Sequence, residues 1–115
     1  MTGCQSANSL AAYQPEIGNN PDNFQFQVTD VKNVTTTVEY TWQNSGNTAS
    51  VNQASAISNG SATVTLQDAD QVERYSKSLS ANGTFQSDAG KAGSWKIRVV
   101  LKNLNGTLNF RVQKK

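Results

Sequence analysis

From Phe24 onward, apolar and polar positions alternate with period two. Phe24, Phe26 and Val28 alternate with Gln25, Gln27 and Thr29. Val34, Thr36, Val38, Tyr40 and Trp42 then alternate with Thr35, Thr37, Glu39, Thr41 and Gln43, ten residues of strict alternation carried by β-branched and aromatic side chains. A helix would scatter these groups around its circumference, so the pattern predicts strands with one buried face. Asn44-Ser45-Gly46-Asn47 ends the run with turn-forming residues. Val51 to Ile57 reads as a weaker strand, rich in Ala and Ser, and Ala62, Val64 and Leu66 alternate with Thr63, Thr65 and Gln67. Val72 to Leu79 alternates imperfectly, which predicts a bulge or an edge position. Phe85 sits in a short piece between Asn82-Gly83 and Gly90.

The C-terminal stretch is the most regular. Asn105-Gly106 is a favoured two-residue turn, since both positions of such a turn need positive φ. A hairpin folded there sets Leu101 against Phe110 and Val99 against Val112 on one face, with Lys102 against Asn109 and Arg98 near Gln113 on the other. Shifting the alternation by one residue would drive Lys96, Arg98 and Lys102 into the core, where an unpaired charge is strongly unfavourable. Asn59-Gly60 predicts a similar hairpin with Ile57 opposite Ala62, whereas Asn82-Gly83 predicts a longer loop.

Seven to eight short strands, each with one apolar face, predict an all-β, antiparallel β-sandwich, immunoglobulin-like or jelly-roll, over residues 24–115. A small closed barrel is the alternative. Residues 1–23, with Pro15, Pro21 and Asn19-Asn20, read as a flexible polar tether in which Leu10 to Tyr13 has room for one helical turn.

Two resemblances add to this reading. Thr2-Gly3-Cys4, followed by the small polar run Gln5 to Ser9, resembles the processed end of a bacterial lipoprotein, where a small pair precedes a lipid-bearing cysteine. Met1 stands where that pattern has an aliphatic residue, and the basic and apolar stretches of a complete export signal are absent before Thr2. The resemblance implies lipidation of Cys4, a removed export signal, and a location at the bacterial cell envelope, periplasmic or at the cell surface. Each buried methylene of such an anchor contributes about 0.8 kcal/mol, so two or more acyl chains hold durably. Gly93-Ser94-Trp95, the following Ile97-Arg98-Val99, and Gly106 before the last apolar alternation resemble the final strands of pre-peptidase C-terminal domains and of the P domains of subtilisin-like proteases. That resemblance implies a secreted sandwich module. Those families often hold calcium on carboxylates, and no matching acidic cluster is present; Asp68-Ala69-Asp70 reads as a hairpin turn.

Composition narrows the chemistry. The 115 residues include 13 Asn, 12 Ser, 11 Thr and 10 Gln, but no His and one Cys. Too few Cys and His are present for a zinc site, a His-based triad or a Cys–His pair. No cofactor or metal is expected. Glu39 and Glu73 are the only mid-strand carboxylates available for an acid–base pair, and outward carboxylates on strands ordinarily serve solubility. Gly90 to Ser94 lacks the spacing of a phosphate-cradling loop, and the Asn-x-Ser/Thr sequons are expected by chance in so Asn-rich a chain. No enzymatic activity is expected.

Charge is segregated along the chain. Residues 1–88 carry three basic and eight acidic side chains, whereas residues 89–115 carry seven basic and none acidic. The outward side of the expected final hairpin would present Lys96, Arg98, Lys102 and Arg111. This is a candidate strip for anionic glycan or lipid headgroups, or alternatively a solvated face that discourages edge pairing. Nucleic acid is not expected, because the aromatic residues fall on the opposite parity from the basic ones. Trp42, Tyr40 and Trp95 are in phase with the core, while Tyr75 and Tyr13 fall outside the strong alternations and are expected to be exposed. Tyr75 is therefore the candidate glycan contact. Together these features predict a non-enzymatic binding or structural module of the envelope, membrane-attached through Cys4, with an anionic glycan or an envelope protein as partner. A carbohydrate-binding module and a subunit of a surface assembly joined by an added strand are the alternatives.

Overall fold

The computed structural model describes residues 13–115, so Cys4 and its neighbours lie outside the described residues. Seven antiparallel strands account for nearly all of the fold: β1 (Glu16–Asn20), β2 (Asn23–Asn44), β3 (Ala49–Gln53), β4 (Ala56–Gln67), β5 (Glu73–Ser78), β6 (Gly83–Gln86) and β7 (Gly93–Lys114). The first strand overlaps the stretch expected as tether. Glu16 to Asn20 pair with Gln27 to Asn23, so the folded part begins before residue 24.

β2 and β7 are each 22 residues long and pair with one another along almost their whole length. Fully extended, such a strand would span about 73 Å, yet the longest dimension of the molecule is 42 Å. Both strands bend sharply. The register of β2 against β7 shifts between Val28 and Val31, between Val31 and Val34, and between Val34 and Thr36. β4 shifts against β7 between Ile57 and Asn59 and between Asn59 and Ser61. The inserted residues adopt positive φ: Asp30, Asn33 and Asn103 in the left-handed region, with Gly60 and Gly106 beside them. Asn, Asp and Gly tolerate this backbone best, and the bulges turn the sheet through a common corner.

The corner makes two layers from one continuous sheet. One layer has the order β1-β2-β7-β3-β6, using the first part of β2 and the last part of β7. The other has the order β2-β7-β4-β5, using the opposite halves of the same two long strands. The fold is thus an all-β antiparallel sandwich. Its interior holds Phe24, Phe26, Trp42, Trp95, Leu101 and Phe110 among the largest buried side chains. Phe24 and Phe26 reach across to Tyr40, with ring centroids 5.4 and 6.0 Å apart. The indoles of Trp42 and Trp95 meet edge to face at 6.2 Å, and each donates its N–H to a main-chain carbonyl, of Asn20 and Lys91 respectively.

Both expected two-residue hairpins are absent. Leu101 pairs with Thr36 and Ala62, and Phe110 with Phe26 and Gln53, so β7 runs straight through Asn105-Gly106. Likewise β4 runs through Asn59-Gly60. The backbone freedom that makes Asn-Gly a good turn equally serves a bulge. A continuous β7 lets two sets of strands pair along its two edges, and a hairpin would give that up. The core parity nevertheless agrees: Val99, Leu101, Phe110 and Val112 are all buried. The insertion at Lys102 and Asn103 brings in Leu104 as a further core residue, three positions after Leu101. The irregularity expected in Val72 to Leu79 is present as a register shift opposite β5, an edge strand, and Asn82-Gly83 makes no two-residue hairpin: Leu79 to Asn82 connect β5 to β6, which do not pair, and Gly83 opens β6.

Candidate functional site

The outer face of the five-stranded layer is a nearly continuous field of uncharged polar side chains. Strand register sets Gly18, Gln25, Arg111, Asn52 and Thr84 side by side in one row across β1, β2, β7, β3 and β6. Beside it lies a second row, Glu16, Gln27 and Asn109. Alternation places all of these opposite in phase to Phe24, Phe26, Phe110 and Val112, which are buried. The two rows enclose a groove of about 210 Å³ lined by Glu16, Gly18, Gln25, Gln27, Asn109 and Arg111, with parts of Ile17 and Phe26.

Hydrogen bonding distinguishes this groove from the rest of the face. Asn52 donates to the Thr84 hydroxyl at 2.8 Å, and Gln113 to Asn23 at 3.4 Å. Among the described residues, the side chains of Glu16, Gln25, Gln27, Asn109 and Arg111 make no hydrogen bond or ion pair. An amide carries two donors and an acceptor, and guanidinium carries five donors in a planar fork. The groove therefore concentrates unused donors and acceptors.

The four residues of the expected basic strip do not share a face. Lys96, Arg98 and Lys102 project from the half of β7 in the four-stranded layer, and Arg111 from the half in the five-stranded layer. The strip assumed a hairpin, and the bend in β7 separates its members. Two of them also share a single carboxylate, which offsets one of their two charges. Glu39 pairs directly across from Arg98, accepting from its Nε at 2.6 Å, and lies 4.0 Å from Lys96. The Arg98 hydrogen bond holds the Glu39 carboxyl below its ordinary range. Glu73 lies on β5, with β7 and β4 between it and β2, so it does not converge with Glu39.

Tyr75, expected to be exposed, is buried at 7% exposure. Its hydroxyl donates to Gln53 Oε1 at 2.6 Å, and the Gln53 amide donates to the carbonyls of Ser78 and Ala81. Burial pushes the Tyr75 phenol up to about 12. Gln53 lies on β3 and Tyr75 on β5, so the pair ties one layer to the other. Sequence alternation missed it because the β5 register slips at Leu66 and Gln67. Phe85, the other ring on this side, is half-buried with the Lys77 ammonium 4.4 Å above it. Trp42 and Trp95 are core residues, as their phase predicts.

Asp68 is the turn residue that Asp68-Ala69-Asp70 suggested. It accepts from the main-chain N–H groups of Asp70, Val72 and Lys91 and from Arg74 Nε. Burial opposes its ionisation, but these four donors outweigh it and hold the carboxyl at about 2.

No protein-family model and no curated protein matches the chain. Among solved structures, the chain is similar to one described as "Crystal structure of accessory secretory protein 1,2 and 3 in Streptococcus pneumoniae". The alignment covers 95% of this chain and 91% of that chain, with 6% identity and a TM-score of 0.42.

Proposed function

We propose that this chain is a non-enzymatic binding module of a bacterial cell envelope, attached through a lipid on Cys4, that holds a glycan across the outer face of its five-stranded layer. One observation carries the reading: five polar side chains with no side-chain partner among the described residues, from three adjacent strands, line a single groove. Sugar hydroxyls both donate and accept, and the amides of Gln25, Gln27 and Asn109 offer the complementary pattern. Drug-sized pockets run to about 300–1,000 Å³. At about 210 Å³ this groove suits one sugar unit of a chain that continues over the open face. Recognition here works by hydrogen bonding, because Tyr75, Trp42 and Trp95 are buried and offer no ring for stacking.

An array of immobilised glycans tests the binding. Selective retention that falls when Gln25 and Gln27 are both changed to Ala supports the reading, and retention of no glycan overturns it. Mass spectrometry of protein purified from bacterial envelopes tests the anchor. A lipid-sized mass increment that disappears in Cys4→Ser is the expected result.

A second reading, a subunit that joins a surface assembly by strand addition, is favoured by the free edge of β2. The carbonyls of Thr41 and Gln43 accept from Asn19 and Asp22, so odd-numbered residues here turn their main-chain groups away from β7. By that alternation Thr37 and Glu39 present N–H and C=O groups outward, with no partner strand among the described residues. Such an edge accepts an added strand. Concentration-dependent sedimentation that is lost in Thr37→Pro would support assembly, and a monomer at all concentrations would exclude self-pairing by this edge.

A further inference from the structure

We propose that Arg111 makes the groove selective for carboxylated sugars, so that its ligand is an acidic glycan of the uronic acid class. The inference rests on the glycan reading of this face. Of the three arginines, Arg74 is bound to Asp68 at 2.8 Å and Arg98 to Glu39 at 2.6 Å, while Arg111 faces no carboxylate within ion-pair distance among the described residues. It stands at the centre of the five-strand row, between Gln25 on β2 and Asn52 on β3. A guanidinium presents parallel N–H groups that match the two oxygens of a carboxylate, an arrangement lysine does not reproduce.

The rest of the groove orients such a ligand. Glu16 lies on β1, and β2 separates it from β7, so the groove has a cationic end and an anionic end two strand spacings across and two residues along, ~12 Å apart. A sugar carboxylate is attracted to the Arg111 end and repelled from the Glu16 end. Its ring hydroxyls then fall among Gln25, Gln27 and Asn109, and a hydroxyl reaching Glu16 donates to it. Gly18 lets the Gln25 side chain lie close against β1, where its amide faces the groove: a Cβ at Gly18 would stand 3.1 Å from Gln25 Cγ and 3.3 Å from its Nε2. Lys96 and Arg98 share Glu39, and Lys102 lies on the other layer, so none of them duplicates this role.

The test compares polygalacturonate with the same polymer methyl-esterified, which removes the carboxylate charge and keeps the sugar ring. Binding is measured by calorimetry on the full chain. The acidic polymer is expected to bind about tenfold or more tightly than the ester, a difference of about 1.4 kcal/mol. Arg111→Gln, with an unchanged circular dichroism spectrum and melting temperature, is expected to abolish that preference. Lys102→Gln, which removes an equal charge from the other layer, is expected to keep it. Equal binding of both polymers by the native chain would overturn the selectivity and leave the glycan reading standing. A preference that survives Arg111→Gln, or disappears equally in Lys102→Gln, would overturn the role of Arg111. Binding of neither polymer would overturn the uronic acid assignment, and retention of no glycan on the array would remove the wider reading with it.

Discussion

Phe24 and Tyr40 lie on the same strand, sixteen residues apart, yet their rings pack against each other at 5.4 Å. A straight strand would separate them by about 53 Å. The contact exists because β2 folds back on itself through bulges between Val28 and Thr36, with β4 and β7 bending alongside it. One sheet thereby becomes both walls of its own core.

The corner is accordingly the part of the fold least tolerant of added volume. Gly106 has φ +146°, and a Cβ there would overlap the carbonyl oxygen of Ala56 on β4. Gly106→Ala is expected to destabilise the protein by about 1–3 kcal/mol or more. Urea unfolding at neutral pH checks this, and an unchanged midpoint would mean that the bend is not constrained at this residue.

Leu101 and Phe110 are each 1% exposed and sit on opposite sides of that corner. Truncating either to Ala is expected to cost about 2–5 kcal/mol, a large share of the roughly 6–17 kcal/mol of a domain this size. Lys102→Glu, at an exposed position between them, is expected to change stability by less than about 0.5 kcal/mol. Thermal melts of the three variants distinguish buried from outward positions directly.

Acid should act through Asp68. Its carboxyl is held at about 2, below the ordinary 3.8, so the folded state favours the charged form. The resulting stabilisation is complete above the ordinary value and is lost as pH falls from about 4 toward about 2. Urea midpoints measured from neutral pH down to this window should decline within it. Asp68→Asn is expected to be less stable at neutral pH and to show a flatter decline between those limits.

The tie between layers predicts a coupling. Tyr75→Phe leaves Gln53 Oε1 buried without its donor, for an expected loss of about 1–3 kcal/mol. Changing Gln53 to Leu in the same chain should make the Tyr75→Phe step nearly neutral, because no acceptor is then left unpaired. A double-mutant cycle by chemical denaturation measures this, and additive losses would show that the two side chains act independently.

Alternation along Val34 to Trp42 and Lys96 to Val112 was sufficient to identify strands, to assign Val99, Leu101, Phe110 and Val112 to the interior, and to keep the basic residues outside. Those are properties of side chains and their parity, and they hold wherever a strand finds its partners. Asn105-Gly106 and Asn59-Gly60 were ambiguous for a physical reason. Residues that permit positive φ serve a turn or a bulge equally well, and the choice depends on which ladder forms along the neighbouring edge. That choice was made by Thr36, Ala62 and Gln53, all distant in sequence from the residues they pair with. It turned a supposed hairpin into one bent strand and parted Arg111 from Lys96 and Arg98. It also aligned Gly18, Gln25 and Arg111, whose positions in the chain carry no hint that they would share a groove. Parity is written locally, whereas register across a sheet is settled by the summed burial and hydrogen bonding of strands brought together from the whole chain.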